Sequence, residues 1–163
     1  MSETLSALVS QSLRMLLTET MLRAPREYAF IINHGEPGFV DTLKSLSAST
    51  VSNPPGPGRK PIVSHANHVL FGWELVNRAL HGDEHAFENV DWDAAWKLTH
   101  VNDSEWRELL ARLEQTAEQV LEAAPQRTEW DEIMLAGCFA TAGHSAYHLG
   151  AIRQMLRDVE AAS

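Results

Sequence analysis

Two histidines in the last quarter of the sequence, His144 and His148, are four residues apart. On a helix, that spacing places both imidazoles on one face, one turn apart, where they can share one transition-metal ion. Such an ion needs at least one further ligand, and the upstream segment Ser64–Trp73 contains two more histidines, His65 and His68. The sequence therefore predicts a three-histidine metal site between two helices.

Helical periodicity leaves the choice between His65 and His68 open, because positions three residues apart differ by only about 60° around the helix axis. The apolar stripe of their segment leans slightly toward His65. Four further histidines fall in predicted loops or at helix ends, where imidazoles are mostly solvated: His34, His81, His85 and His100. We expect these four to lie at the surface.

The residues around the pair argue against two common metal architectures. Ser145 stands where a zinc protease of the HExxH type carries its catalytic glutamate. No glutamate precedes a histidine by three residues, which removes the usual di-iron carboxylate bundle. The one cysteine, Cys138, lies six residues before His144, off the ligand face, and is expected to be a small buried side chain. A single metal ion held by nitrogen and oxygen ligands fits these residues.

Two histidines at this spacing also arise by chance, as solvated side chains or as imidazoles that find partners in the core. The residues before the pair are small and let a neighbouring helix come close: Ala136, Gly137, Ala140, Ala142 and Gly143. This composition favours a buried helix, and buried imidazoles need polar partners or a metal. The setting therefore favours a metal site over a chance pair.

Four long helical segments are predicted to position these histidines. The first spans residues 4 to about 24, before Pro25, and the second runs from Pro61 to about Leu80. The third runs from the Asn102 cap to Pro125. The last begins between Thr128 and Ile133 and continues past Arg157. Residues 26–60 form a long crossover between the first two, with a short helix at Val40–Leu46 and an extended loop at Asn53–Pro61. The pattern predicts an all-α, four-helix bundle in a single domain, residues 1–163.

The composition limits the partners of this domain. The formal net charge is −9, and the 13 basic residues are scattered along 163 positions. Nucleic acids and anionic membrane surfaces attract clustered basic side chains, so neither is an expected partner. The first residues lack the basic flank and apolar run of a signal peptide, and no apolar stretch approaches the ~18 residues of a membrane span. We therefore expect a cytoplasmic protein.

Aromatic and basic residues near the pair are candidates for a substrate pocket. Tyr147 could point its hydroxyl toward a substrate and Arg153 could hold an anionic group, although such residues more often pack or cap. Five tryptophans could line an apolar pocket, although in a small helical domain most tryptophans belong to the core: Trp73, Trp92, Trp96, Trp106 and Trp130.

Two segments carry a family resemblance. Asn67–Phe71 is similar to a second-helix segment with one ligand histidine, and His144–Gln154 to a last-helix segment with two, in the DinB-like superfamily. This superfamily includes the YfiT-type proteins and thiol-dependent S-transferases, such as bacillithiol transferases and mycothiol-dependent maleylpyruvate isomerases. The resemblance covers residues 5–157. In the family's second helix a hydrophobic residue lies six positions before the ligand histidine, as Ile62 lies before His68. It implies His68, His144 and His148 as the ligands, with His65 in the second shell or facing the substrate.

The resemblance also implies an up-down-down-up helix order, a divalent metal such as Zn²⁺ or Ni²⁺, and often a homodimer. Three neutral imidazoles leave a coordination position open, as in catalytic sites. The family favours a low-molecular-weight thiol there, activated to attack an electrophilic small-molecule substrate, and with one off-face cysteine that thiol must come from another molecule. The alternatives are a metal-dependent hydrolase that activates water, and a non-enzymatic, metal-stabilised stress-response binding bundle.

Overall fold

The computed structural model describes residues 3–25 and 27–161, and this part of the chain is helical without any strand. The helices are α1 (Glu3–Leu17), α2 (Phe39–Lys44), α3 (Ala48–Ser52), α4 (Ile62–Leu80), α5 (Asp103–Gln126) and α6 (Glu132–Ala161). The all-helical prediction is confirmed. Within the described residues, no helix combines the length and the apolar composition that crossing a bilayer requires. The predicted domain limits at residues 1 and 163, and the predicted crossover start at Arg26, lie outside the described residues.

The four long helices pack around one hydrophobic core, in which α4 and α1 each contact both α5 and α6. Helix α5 begins at a capping box: the Asn102 side chain accepts from backbone N–H groups of the first turn, and the Glu105 carboxylate accepts from the backbone N–H of Asn102. Its inward face is buried at spacings of three and four residues: Trp106, Leu109, Leu113, Ala117, Val120 and Ala124. Sequence periodicity thus located this helix correctly.

Two helix ends differ from the prediction. The first helix keeps α-helical form only to Leu17 and continues as a wider π-helical turn, Thr18–Leu22. Helix α5 ends at Gln126, so the predicted end at Pro125 is wrong by one residue. Proline removes one backbone donor but keeps a helical φ angle, so the last turn can include it.

The crossover between α1 and α4 is packed against the core and holds two short helices. The first, α2, matches the helix predicted at Val40–Leu46, whereas α3 was not predicted. Helix α3 is mostly polar and shows no apolar period; its Ser47 cap accepts a hydrogen bond from Thr50, and Val51 is fully buried. Tertiary burial of one side chain, combined with a local cap, therefore sets this element.

A fully buried glutamate fixes the path of the first part of the crossover. Glu19, in the π-helical turn, is 0% exposed, and its carboxylate accepts hydrogen bonds from three consecutive backbone N–H groups. The distances are 3.0 Å to Phe30, 2.6 Å to Ile31 and 2.7 Å to Ile32. These bonds give the buried carboxylate its partners and hold residues 30–32 against the π-helical turn.

Candidate metal centre

Three histidines from two helices converge on one point. His68 lies on α4, and His144 and His148 lie one turn apart on α6. The Nε2 atom of His144 is 3.2 Å from Nε2 of His68 and 3.0 Å from Nε2 of His148. One ligand atom from each ring lies within 4.8 Å of the others. The structure thus brings together the three histidines that the sequence analysis singled out.

The spacing of these nitrogen atoms fits a divalent cation. A tetrahedral zinc site with Zn–N bonds of about 2.0–2.1 Å has neighbouring nitrogens about 3.3 Å apart. The two Nε2–Nε2 distances of 3.2 and 3.0 Å are close to that edge length. Hydrogen bonds among the rings satisfy the three converging Nε2 atoms poorly. Each neutral imidazole carries one N–H and one acceptor nitrogen, so one Nε2–H cannot serve both other rings equally well. The donor set therefore suits a cation that takes several ring nitrogens at once.

His65 lies behind His148, outside this cluster. Its Nδ1 atom is 3.0 Å from Nδ1 of His148, and its ring meets the Trp96 ring edge to face at a centroid distance of 5.1 Å. A histidine that binds metal through Nε2 carries its proton on Nδ1 and normally donates it to a neighbouring acceptor. His65 is placed to be that acceptor, so the contact fits an orienting role for His65.

His68 is held in a different way. Its Nδ1 atom is buried and has no hydrogen-bond partner among the described residues. Its ring instead stacks on Trp96, with centroids 4.2 Å apart and planes inclined by 21°. The ring of Trp92 also lies near His68, with the two ring centroids 6.0 Å apart. Ring packing, together with the short 3₁₀ turn Ala94–Trp96 that carries Trp96, therefore fixes the orientation of His68.

A buried hydrogen-bond chain locks α6 against α4 beside the cluster. The Trp73 indole N–H donates to Oγ of Ser145 at 3.0 Å, and that hydroxyl donates to the carbonyl of Thr141 at 2.7 Å. Both Trp73 and Ser145 are almost completely buried. Ser145, which follows His144 directly, therefore has a positioning role in the helix packing.

Burial keeps the imidazoles of the cluster neutral. Loss of solvation, with a smaller contribution from the neighbouring imidazoles, lowers the pKa of His148 to about 3 and that of His68 to about 4. Burial also lowers the pKa of His144 and, with the Arg59 charge, that of His65. Neutral imidazole is the form that binds metal. The cluster is thus in its ligating form at neutral pH.

These pKa values predict acid sensitivity of the metal-free protein. A histidine whose pKa falls from 6.5 to about 4 or 3 on folding takes up its proton more readily in the unfolded chain. The corresponding stability is fully present above about pH 6.5 and is lost as the pH falls toward these values. We expect the urea midpoint of chelator-treated protein to fall between pH 7 and pH 5.

A double variant, His68→Ala with His148→Ala, should flatten that pH dependence, whereas exposed His100→Ala should leave it unchanged. A midpoint of the wild type that is the same at both pH values would contradict the assignment of the low pKa values to the cluster.

The remaining candidate residues lie around the cluster or away from it. Tyr147 is 72% exposed, with its ring 5.0 Å from that of His148. Arg153 donates to the Glu36 carboxylate at 2.7 Å and to the Pro37 carbonyl at 2.8 Å, which ties α6 to the crossover. The four histidines predicted at the surface are all exposed: His34, His81, His85 and His100.

The cysteine and the tryptophans divide between core and site. Cys138 is fully buried, and burial raises its pKa to about 11. Trp73 and Trp106 belong to the core, whereas Trp92 and Trp96 surround His68. The segment between α4 and α5 has no regular period, so the sequence alone could not assign these two aromatic rings to the site.

The comparisons with known proteins give one match. The family model described as the DinB superfamily matches residues 36–152, a span that includes the whole of α4 and both histidines on α6. No curated protein and no solved structure matches the chain.

Proposed function

This chain belongs to the DinB superfamily, and from that premise we propose that His68, His144 and His148 hold one divalent cation, Zn²⁺ or Ni²⁺. We further propose an enzyme that transfers a low-molecular-weight thiol to an electrophilic small molecule. The observation that carries the proposal is the convergence of three neutral imidazoles, with Nε2 atoms 3.0 and 3.2 Å apart, from two helices. Three protein ligands leave a coordination position for a co-substrate.

Each of the surrounding residues has a part in this proposal. His65 orients His148, and Trp96 orients His68. Each of the two ligand rings therefore keeps its own orientation when no metal is bound. A cation held there supplies Lewis acidity, under which a thiol ionises near neutral pH, as water does in a metal-dependent hydrolase. Cys138 is buried, with a pKa of about 11, so the nucleophilic sulfur comes from another molecule.

Superfamily membership also supports an up-down-down-up order of α1, α4, α5 and α6 and a homodimer. The acidic composition disfavours nucleic acid and anionic membranes as partners, and we propose that the enzyme acts on small molecules in the cytoplasm. These assignments are part of the same proposal.

The test is thiol transfer by metal-stripped and metal-reconstituted protein. Tag-free protein is treated with chelator, reloaded with Zn²⁺ or Ni²⁺, and assayed with cysteine, glutathione or coenzyme A and the electrophile 4-phenyl-3-buten-2-one. We expect thiol-dependent turnover that falls at least about 100-fold on stripping and returns on reloading.

Stripped protein that keeps full transfer activity would refute the mechanism. Turnover of 4-nitrophenyl acetate without added thiol, together with no thiol transfer, would identify a hydrolase instead. Metal-dependent melting without any turnover would identify a binding bundle.

A further inference from the structure

A cavity of about 420 Å³ opens directly beside two of the three clustered histidines. Its walls include His68 and Gly72 from α4, Gly137 and His144 from α6, and Phe87 and Trp92 from the segment between α4 and α5. Sites for small molecules typically have volumes of about 300–1,000 Å³. The cavity is therefore large enough for a small substrate next to the proposed cation.

The walls of this cavity are almost entirely apolar. Besides the two histidines, three described lining residues carry polar side-chain atoms: Thr141, whose hydroxyl donates to the Gly137 carbonyl at 2.8 Å, Trp73, whose N–H binds Ser145, and Trp92, whose indole has one N–H. The groups that can hydrogen-bond a substrate are thus few: the imidazoles of His68 and His144, the Trp92 N–H and the Thr141 hydroxyl oxygen. The rest of the cavity suits a part of the substrate without polar groups.

Two aromatic rings at the rim are more exposed than core residues. Phe87 is 51% exposed and Trp92 is 43% exposed. Trp92 meets the Phe71 ring edge to face at 5.4 Å and lies 6.0 Å from the His68 ring, so its position is fixed by packing. A fixed aromatic face that is open to a cavity is suited to stacking on a planar apolar group.

A second cavity of about 390 Å³ adjoins the first, because Val76, Phe87 and Gly137 line both. The walls of this second cavity include three carboxylates and one guanidinium: Asp83, Glu84, Asp131 and Arg127. The excess of negative charge there disfavours a substrate with an anionic group at that position. We call these two adjacent cavities the groove; one part lies beside the histidines and the other has acidic walls.

We propose that this groove binds the electrophile, and that the electrophile is an uncharged, elongated molecule whose planar apolar part lies between Trp92 and Gly137. Its reactive carbon then lies beside His68 and His144. This inference rests on the proposed function. For an activated alkene, the thiol sulfur bonds to the β carbon, the carbon–carbon π bond breaks, and the thiol proton ends on the adjacent carbon. The step needs no oxidant and releases no leaving group.

Gly137 offers a direct way to fill the groove. A Cβ atom built at this position meets no heavy atom of the described residues within 4 Å, although Gly137 lines both cavities. Leucine is a better helix former than glycine, so Gly137→Leu should preserve α6 while its side chain enters the groove. Gly150→Leu is the matched control, because Gly150 also lies on α6 with open space around it but lines neither cavity.

Binding is measured with the unreactive ketone 4-phenyl-2-butanone by calorimetry and by tryptophan fluorescence. We expect the wild type and Gly150→Leu to bind it equally within twofold, and Gly137→Leu and Trp92→Ala to bind it at least about tenfold more weakly. Metal content by plasma mass spectrometry should be the same in Gly137→Leu and the wild type. No binding by the wild type, or undiminished binding by Gly137→Leu, would overturn the inference.

Turnover separates this inference from the proposed function. The ratio of kcat/KM for 4-phenyl-3-buten-2-one to that for but-3-en-2-one, which carries the same reactive group without the ring, should fall at least about tenfold in Gly137→Leu. An unchanged ratio with active enzyme would refute the groove and leave thiol transfer intact. Lost ketone binding in Gly137→Leu, with no thiol transfer by the wild type, would refute thiol transfer and leave the groove intact.

Discussion

Tag-free wild-type protein, reloaded with Zn²⁺ or Ni²⁺, is expected to hold close to one equivalent of metal, and His68→Ala and His148→Ala are each expected to hold only a trace. The reason is the ligand number: removing one of three converging imidazoles leaves two, which bind a cation far more weakly. Plasma mass spectrometry after gel filtration measures the content directly.

His65→Ala should behave differently, because His65 contacts His148 through Nδ1 and lies outside the cluster. Loss of a group that orients a ligand typically weakens metal binding about 10- to 100-fold. This variant should therefore reach full occupancy with excess metal but lose it sooner to a competing chelator. Exposed His100→Ala should match the wild type in both measurements.

The melting temperature provides a second readout. A ligand that binds only the folded state raises stability with its concentration, so chelator should lower the melting temperature of the wild type and leave that of His68→Ala unchanged. Wild-type protein that takes up no metal, or equal loss in His65→Ala and His148→Ala, would contradict the ligand assignment.

The second large effect concerns Glu19. Replacing this buried side chain by alanine removes the acceptor of the backbone N–H groups of Phe30, Ile31 and Ile32. A hydrogen bond contributes about 0.5–1.5 kcal/mol net, so loss of three in Glu19→Ala should lower the free energy of unfolding by about 3 kcal/mol. Urea denaturation followed by circular dichroism measures the change.

Two variants serve as controls for Glu19. Glu19→Gln keeps an acceptor oxygen, so its cost should be smaller than that of Glu19→Ala. Glu108→Ala removes an exposed carboxylate from α5 and should change stability by less than about 0.5 kcal/mol. A Glu19→Ala midpoint equal to that of Glu108→Ala would show that the three backbone donors find other partners.

The parts of the fold that could be predicted are those with local signals. Helix α5 has a regular apolar spacing and a side-chain cap, and α4 begins after a proline, so both were located to within one or two residues. The π-helical turn and α3 could not be predicted, because burial of Glu19 and Val51 against distant residues determines them.

The candidate site was predictable to the same degree. The spacing of His144 and His148 on one helix placed those two together. The choice of His68 over His65 depends on the rotation of α4 about its axis. The two histidines are only about 60° apart around that axis, and a stripe of apolar residues does not fix the rotation that closely. Both histidines face inward, one toward the cluster and one toward the back of His148, so periodicity indicated their burial but not their roles.

The sequence separation of the clustered histidines has a kinetic consequence. His68 and His144 are 76 residues apart, so we expect their rings to meet late in folding, because a long loop must close first. Contacts that form after the folding barrier slow unfolding and hardly change the folding rate. A bound cation would thus act on the lifetime of the folded chain, and proteases that cut only the opened form would degrade loaded molecules more slowly than stripped ones.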